Sequence, residues 1–305
     1  MLLGIEIGGT KLQACLEHET GTRHWHTGRV DRAAAAAGTR AWLAGLPKAL
    51  QIDRGALTGV GVGFGGPVDV RTGRVVRSHH IDGWDDFALA HWCTECFGAP
   101  TAIDNDANAA ALAEARLGAG QGHNPFFYMN MGSGIGGGLV EGGQVHHGGG
   151  RSGMEIGHTL VPDGWDRGAP VRLEDRCSGW NIEARLARPG YVPADSPLAA
   201  CRAAPTCRDL GEAASGGDAF ARAELERIGE AVGVALANVL ALCAPTRFAL
   251  GGGVAGLGER LLAPVRTHLA RHAMGIYAGT YDVVPCAFGQ EVVVIGALEL
   301  ARDVT

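Results

Sequence analysis

What this sequence lacks narrows its function first. Lysines and arginines form no cluster, and the 26 basic residues are outnumbered by 32 acidic ones, for a net charge of −6. The positive footprint of a nucleic-acid or anionic-membrane binder is therefore missing. No uncharged apolar run reaches the ~18 residues of a transmembrane helix. The longest candidate, 231–244, is too short and carries Asn238. Glu6 and Lys11 interrupt the start of the chain, so no secretory signal is expected. The eight cysteines are scattered, which reads as reduced thiols in the cytoplasm. Cys93-x-x-Cys96 follows His91 but has no second pair, and Cys201 and Cys207 have no matching partners. A closed zinc site takes about four placed ligands, so thiols are the simpler reading. Charged residues are only 19% of the chain against 46% apolar, which excludes a disordered chain and allows a large core.

What is present in excess is glycine. There are 49 in 305 residues, more than twice the ~7% average share, and no G-X-Y period makes them collagen. They cluster at Gly8-Gly9, Gly136–Gly138 and Gly251–Gly253. Clustered glycine implies tight turns and close backbone approach to something bound. At ~150 residues per domain, the length predicts about two domains.

Residues 2–7 read as a strand, Gly8-Gly9 as a turn, and residues 11–17 as a second strand. A third strand is expected over 23–30, a helix over 33–50 and a buried strand over 57–64. The plan then recurs, with a strand over 126–131, a turn at Gly132-Ser133-Gly134, and a strand over 137–141 returning through Gly142-Gly143. Helices are expected over 181–187 and 218–243. A short strand over 247–250 ends in Gly251–Gly253, and a closing helix spans 289–300, with Gly296-Ala297 at a tight packing contact. The repeated strand, glycine turn and strand suggest weak internal duplication.

Five constellations carry chemistry. Glu6-Ile7-Gly8-Gly9-Thr10-Lys11 frees backbone N–H groups for an anion and adds a hydroxyl and a cation, although an ordinary hairpin turn is the alternative. Gly132-Ser133-Gly134-Ile135-Gly136-Gly137 formally matches G-x-G-x-x-G, as do Gly61, Gly63 and Gly66. Neither precedes a helix, so a dinucleotide fingerprint is disfavoured. Asp104-Asn105-Asp106-Ala107-Asn108 opens an Ala-rich helix. Capping is one reading, and since one cap needs fewer than four Asx side chains, a general base is the other. Glu155 and His158 share one side of a turn and could bond a polyol. Gly251–Gly253 leaves bare backbone for a flat ligand.

Together these residues resemble the ROK family of sugar kinases, within the actin-like ATPase and hexokinase superfamily. The resemblance runs nearly end to end. Residues 4–11 match the first phosphate loop, Gly63–Pro67 the sugar-side loop, Asn105–Asn108 the catalytic segment and Gly132–Gly134 the second phosphate loop. Glu155–His158 and Gly251–Val254 complete it. The resemblance implies an α/β fold of two actin-like (ribonuclease H-like) domains around a cleft. The smaller would span 1–105, completed by a C-terminal helix near 290–305, and the larger 106–289. It implies Asp106 as general base on a sugar hydroxyl. Gly66, Asn105, Glu155, His158 and Glu174 would bind the sugar. Gly9, Thr10, Lys11, Gly132, Ser133 and Gly134 would hold ATP phosphates, with Gly252 and Gly253 by the adenosine. Glu6 would reach Mg²⁺ through water. The expected product is a hexose 6-phosphate, from glucose first, with fructose or an N-acylhexosamine as alternatives, and the expected assembly is a homodimer. A sugar-sensing regulator is the alternative of another class. Such members carry a helix-turn-helix before the first loop, which here begins at residue 4. Most members hold a structural zinc through cysteines between the positions of His158 and Glu174. Residues 159–173 contain none, so no zinc is expected and the loop must be held another way.

Overall fold

The computed structural model describes residues 1–53, 55–78, 81–150, 154–166 and 168–305. The chain folds as two compact units. The first comprises Met1–Gly118, Gly138–Met154 and Gln290–Thr305, and the second Ala119–Gly137 and Glu155–Gly289.

The N-terminal stretch runs β1 (Leu2–Ile7), β2 (Lys11–Glu17), β3 (Arg23–Arg29), α1 (Ala35–Ala49), β4 (Gly59–Phe64), β5 (Val68–Asp69) and β6 (Arg74–Val75). It continues through α2 (Leu89–Phe97), β7 (Thr101–Asn105) and α3 (Asp106–Leu117). Then come β8 (Phe126–Met131), β9 (Ile135–Glu141), β10 (Gln144–Val145), β11 (Leu160–Val161) and β12 (Val171–Arg172). Next are α4 (Leu173–Cys177), α5 (Gly179–Leu186), α6 (Cys207–Ser215) and α7 (Ala219–Cys243). β13 (Arg247–Gly251), α8 (Gly252–Ala255), α9 (Glu259–His272), β14 (Asp282–Pro285) and α10 (Val292–Arg302) complete the chain.

Two five-stranded sheets result, in the orders β3-β2-β1-β4-β7 and β10-β9-β8-β13-β14. In the first, β1 pairs antiparallel with β2 and parallel with β4, which pairs parallel with β7. In the second, β8 pairs parallel with β13 and β13 with β14. A three-residue link joins β8 to β9, short enough only for a hairpin. Both sheets thus place hairpin strands on one side and parallel strands on the other, which gives the suspected duplication its structural form. Among the described residues no helix is long and apolar enough to cross a membrane.

Sequence alternation explains the core of the first unit. In β4, Gly-Val-Gly-Val-Gly-Phe sends successive side chains to opposite faces. Val60, Val62 and Phe64 join Leu3, Ile5, Leu43, Leu46 and Trp84 in one apolar cluster. The glycine face receives α10. A Cβ built at Gly61 would overlap the Ala297 carbonyl oxygen, and one at Gly59 that of Ala301. On the next layer, a Cβ at Gly296 would overlap the Ala109 carbonyl oxygen of α3. The glycines at 61 and 63 therefore admit a helix rather than a nucleotide. Gly296→Ala must push α10 away from α3. Overpacking of this kind costs about 1–3 kcal/mol or more. The urea midpoint of the variant is expected to fall, whereas Gly45→Ala, inside α1 with open space around its Cβ position, is expected to raise it slightly.

Candidate active site

Parallel register builds the site of the first unit. Ile7 of β1, Phe64 of β4 and Asn105 of β7 stand side by side, so the chain leaves all three strands along one edge. Ligands of α/β sheets bind outside such carboxyl ends. The three exits are Gly8–Lys11, Gly65–Pro67 and Asp106. Gly65 N donates to Ile7 O at 2.8 Å. A Cβ at Gly65 would stand 3.5 Å from both Gly8 Cα and Asp106 Oδ2. The first glycine turn, the sugar-side loop and the Asp106 carboxylate therefore converge.

Asp106 heads α3, where its charge favours the helix N-terminus, and Oδ1 accepts from Ala107 N at 2.8 Å. Asn105 is the N-cap. Its Oδ1 accepts from Ala107 N (2.9 Å) and Asn108 N (3.4 Å). Its Nδ2 donates to Gly66 O at 3.1 Å. One side chain thus caps the helix and ties it to the Gly66 loop.

Gly8 N donates to Lys11 O at 3.0 Å, closing the first turn. Lys11 Nζ donates to Gln290 O (2.8 Å) and lies 3.1 Å from Glu6 Oε2, an ion pair rather than an aligned hydrogen bond. Burial pushes the Glu6 carboxyl up to about 7 against the opposing charge of Lys11, and the Asp106 charge adds to the rise. The buried Oε2, without a hydrogen bond, is a hard oxygen that suits Mg²⁺, which takes one or two carboxylates and keeps waters and phosphates as its other ligands. Thr10, Lys11, Thr27, Gly28 and Arg29 line an open recess of about 540 Å³. Strand register sets Arg29 opposite Lys11, a second cation that no motif announced.

The second unit repeats the device. Gly132 N donates to Gly134 O at 2.9 Å, and Gly179 N donates to Gly132 O at 2.7 Å. Glu174 Oε2 accepts from Ile135 N at 2.7 Å and lies 2.7 Å from where a Cβ of Gly134 would be. Glu174 and Gly179 therefore brace the turn, while Ser133 is exposed. Gly251 stands opposite Asn130, and Gly252, at φ +87°, has Met131 O 2.5 Å from its would-be Cβ, so only glycine fits. Gly253 faces open space. Glu155 and His158 flank a 3₁₀ turn over Ile156–His158. Ile156 and Gly157 are buried, both flanking side chains are exposed, and His158 N donates to Glu155 O at 3.0 Å. The structure thus gathers Gly132, Ser133, Gly134, Glu174 and Gly252 at one strand edge and packs the turn bearing Glu155 and His158 beside it, with Gly157 against the Ile135 carbonyl and Leu173 N donating to Thr159 O at 3.0 Å.

The loop without cysteines is held by a polar hub. Glu224 on α7 is fully buried and accepts from Trp165 Nε1 at 2.9 Å, from Arg185 at 3.3 Å, from Arg227 at 3.3 Å and from the Tyr191 hydroxyl. The Arg185 guanidinium lies 4.5 Å from the Trp165 ring centroid. Asp163 accepts from Trp165 N (3.1 Å) and pairs with Arg176 at 2.6 Å. Burial raises the Asp163 carboxyl, but its bonds to Arg176 and to backbone N–H groups outweigh this and hold it below the ordinary value. Sequence reasoning missed all of these. The one available signal was a glutamate on the apolar face of α7, beside Ala221, Leu225 and Ile228. Among the described residues no group of three or more His, Cys, Asp or Glu is placed to hold a metal.

Two hairpin-plus-parallel sheets, each with a glycine turn at the end of its first strand, define an α/β protein of the actin-like ATPase fold. The chain belongs to the ROK family, whose profile matches residues 2–304. A glucokinase of Halalkalibacterium halodurans is 34% identical over 258 residues, covering 81% of this chain and 77% of that one. A glucokinase of Thermotoga maritima is 32% identical, covering 80% and 79%. The crystal structure of a ROK family glucokinase from Streptomyces griseus, in complex with glucose and AMPPNP, superposes with a TM-score of 0.81 at 30% identity, covering 99% of both chains.

Proposed function

We propose that this chain transfers the γ-phosphoryl group of ATP to the 6-hydroxyl of glucose, with Asp106 as general base. The observation that carries the reading is the convergence of the Asp106 carboxylate with Gly8 and Gly65 at the ends of β1 and β4. Asp106 takes the hydroxyl proton as the sugar oxygen forms its bond to the γ-phosphorus. The bond from that phosphorus to the bridging oxygen breaks, and ADP leaves. Such transfer passes through a loose transition state, so positioning and charge neutralisation dominate. Thr10 and Lys11 in the first unit, and Gly132, Ser133 and Gly134 in the second, are assigned to the phosphates. Gly252 and Gly253 are assigned to the adenosine. Gly66, Asn105, Glu155, His158 and Glu174 are assigned to the sugar. When bound, Mg²⁺ near Glu6 neutralises phosphate charge. Lys11, held by Glu6 and the Gln290 carbonyl, adds a fixed cation.

A coupled ADP-release assay with glucose, fructose, N-acetylglucosamine and N-acetylmannosamine tests the reading. Glucose is expected to give the highest kcat/KM. A higher value for fructose or an N-acylhexosamine would reassign the substrate, and no sugar-dependent ADP release would sink the kinase reading. We further propose a cytoplasmic homodimer. The absence of disulfides among the eight cysteines accords with a reducing compartment, and light scattering tests the assembly.

A further inference from the structure

Asp104 precedes the proposed base by two residues and is 1% exposed. Its Oδ1 accepts from Asn105 N (2.7 Å) and Asn108 Nδ2 (2.8 Å). Its Oδ2 lies 2.6 Å from His147 Nε2. With Asn105 tied to Gly66, each of Asp104, Asn105 and Asn108 around Asp106 makes at least one side-chain hydrogen bond within the protein. His147 reaches in from the loop after β10. That loop is pinned by His146 N to Leu139 O (2.8 Å), Gly150 N to His147 O (2.8 Å) and Val70 N to Gly150 O (3.1 Å). A buried carboxylate is costly unless paired, and the two asparagine-derived donors are uncharged. Among the described residues His147 is the titratable group bonded to Asp104.

We infer that His147, as an imidazolium paired with Asp104, is a positioning residue that holds the 104–108 segment, and with it the Asp106 carboxylate, in proton-accepting geometry. The inference rests on the phosphotransfer reading above. The hydrogen bond to Asp104 raises the affinity of His147 for its proton, burial works against this, and the Asp104 charge reinforces the rise. The sign follows from linkage. The charged pair is complete below the ordinary histidine pKa and is lost as pH rises through the raised value. From β7 the facing charge is Asp104, and α3 presents the uncharged Asn108. The turn between β5 and β6, which touches the loop at Gly150, carries Asp69 and Arg71, 3.5 Å apart. Burial raises the Asp69 carboxyl, but Arg71 outweighs it and holds it below the ordinary carboxylate value, so Asp69 does not change charge in the same window.

The test measures kcat and both KM values from pH 6 to 9.5 for the wild type, His147→Gln and His147→Arg. Wild-type kcat is expected to fall on the alkaline side. Misplacement of a reacting group costs up to about 10²-fold, so His147→Gln is expected to lose about 10–10²-fold in kcat with both KM values nearly unchanged. His147→Arg, a permanent cation, is expected to restore kcat and abolish the alkaline limb. Wild-type kcat and pH profile in His147→Gln would overturn the inference, as would one alkaline limb shared by all three proteins. NMR titration of the imidazole in wild-type protein and Asp104→Asn gives a readout without turnover. The His147 pKa is expected to fall in Asp104→Asn, and an unmoved value overturns the pairing. An inactive wild type would count against the kinase reading and leave this titration decisive for the pair.

Discussion

Replacing Asp106 by alanine or asparagine is expected to lower kcat by about 10²–10⁴-fold, the contribution of a placed general base. Glucose binding, followed by calorimetry, is expected to survive. The separation follows from the geometry. Asp106 sits at the first position of α3, but Asn105 supplies the cap, so the helix start and the Gly66 loop stay in place. Asparagine keeps the shape and removes the proton acceptor, which makes it the sharper variant. Both variants lose the favourable charge at the helix N-terminus, worth about 0.3–1 kcal/mol. Turnover within tenfold of wild type in either variant would remove Asp106 from the role.

The second large effect is expected at Glu224, some 120 residues further along the chain. Glu224→Ala strips Arg185, itself buried, of its carboxylate and leaves Trp165 and Tyr191 without their acceptor. Breaking a buried pair by removing one partner costs about 3–5 kcal/mol. The unfolding midpoint of the variant is expected to drop accordingly. The glucose KM is expected to rise, because Trp165 lies in the loop leading to Glu174. Glu224→Gln, which keeps the acceptor oxygen, is expected to lose less. A variant as stable as wild type would mean that something else anchors the loop. Stoichiometric zinc in untagged protein, by elemental analysis, would name that anchor.

The sequence disclosed what is local. Alternation marked β2, an apolar run rich in valine and glycine marked β4, and the run of Asx residues marked the start of α3. The helix expected over 218–243 is α7, at whose start the Asp218 side chain accepts from Ala221 N. Gly296 announced a tight contact, which the structure places against α3. What it hid is long-range. The surplus of Asx residues at 104–108 argued for more than a cap. One of them, Asp104, finds its partner 43 residues away in His147, a pairing no spacing rule predicts. The Glu224 hub joins residues from 163 to 227 through side chains whose neighbours in sequence are unremarkable. The glycines at 61 and 63 mimicked a nucleotide motif because a helix and a phosphate both demand bare backbone. The amphipathic helix α9, which buries Leu261, Leu262, Val265 and Leu269 on one face but carries Pro264 inside, was not taken up by sequence reasoning.

One consequence follows from the way α10 fills the glycine face of β1 and β4. During synthesis those strands emerge early, but the helix that shields them comes some 230 residues after β4. A nascent chain must therefore carry a half-clothed sheet, dotted with glycine gaps, while the entire second unit is made. Exposed strand surface of this kind invites aggregation. The first sheet is therefore expected to stay open to aggregation until its final helix is synthesised.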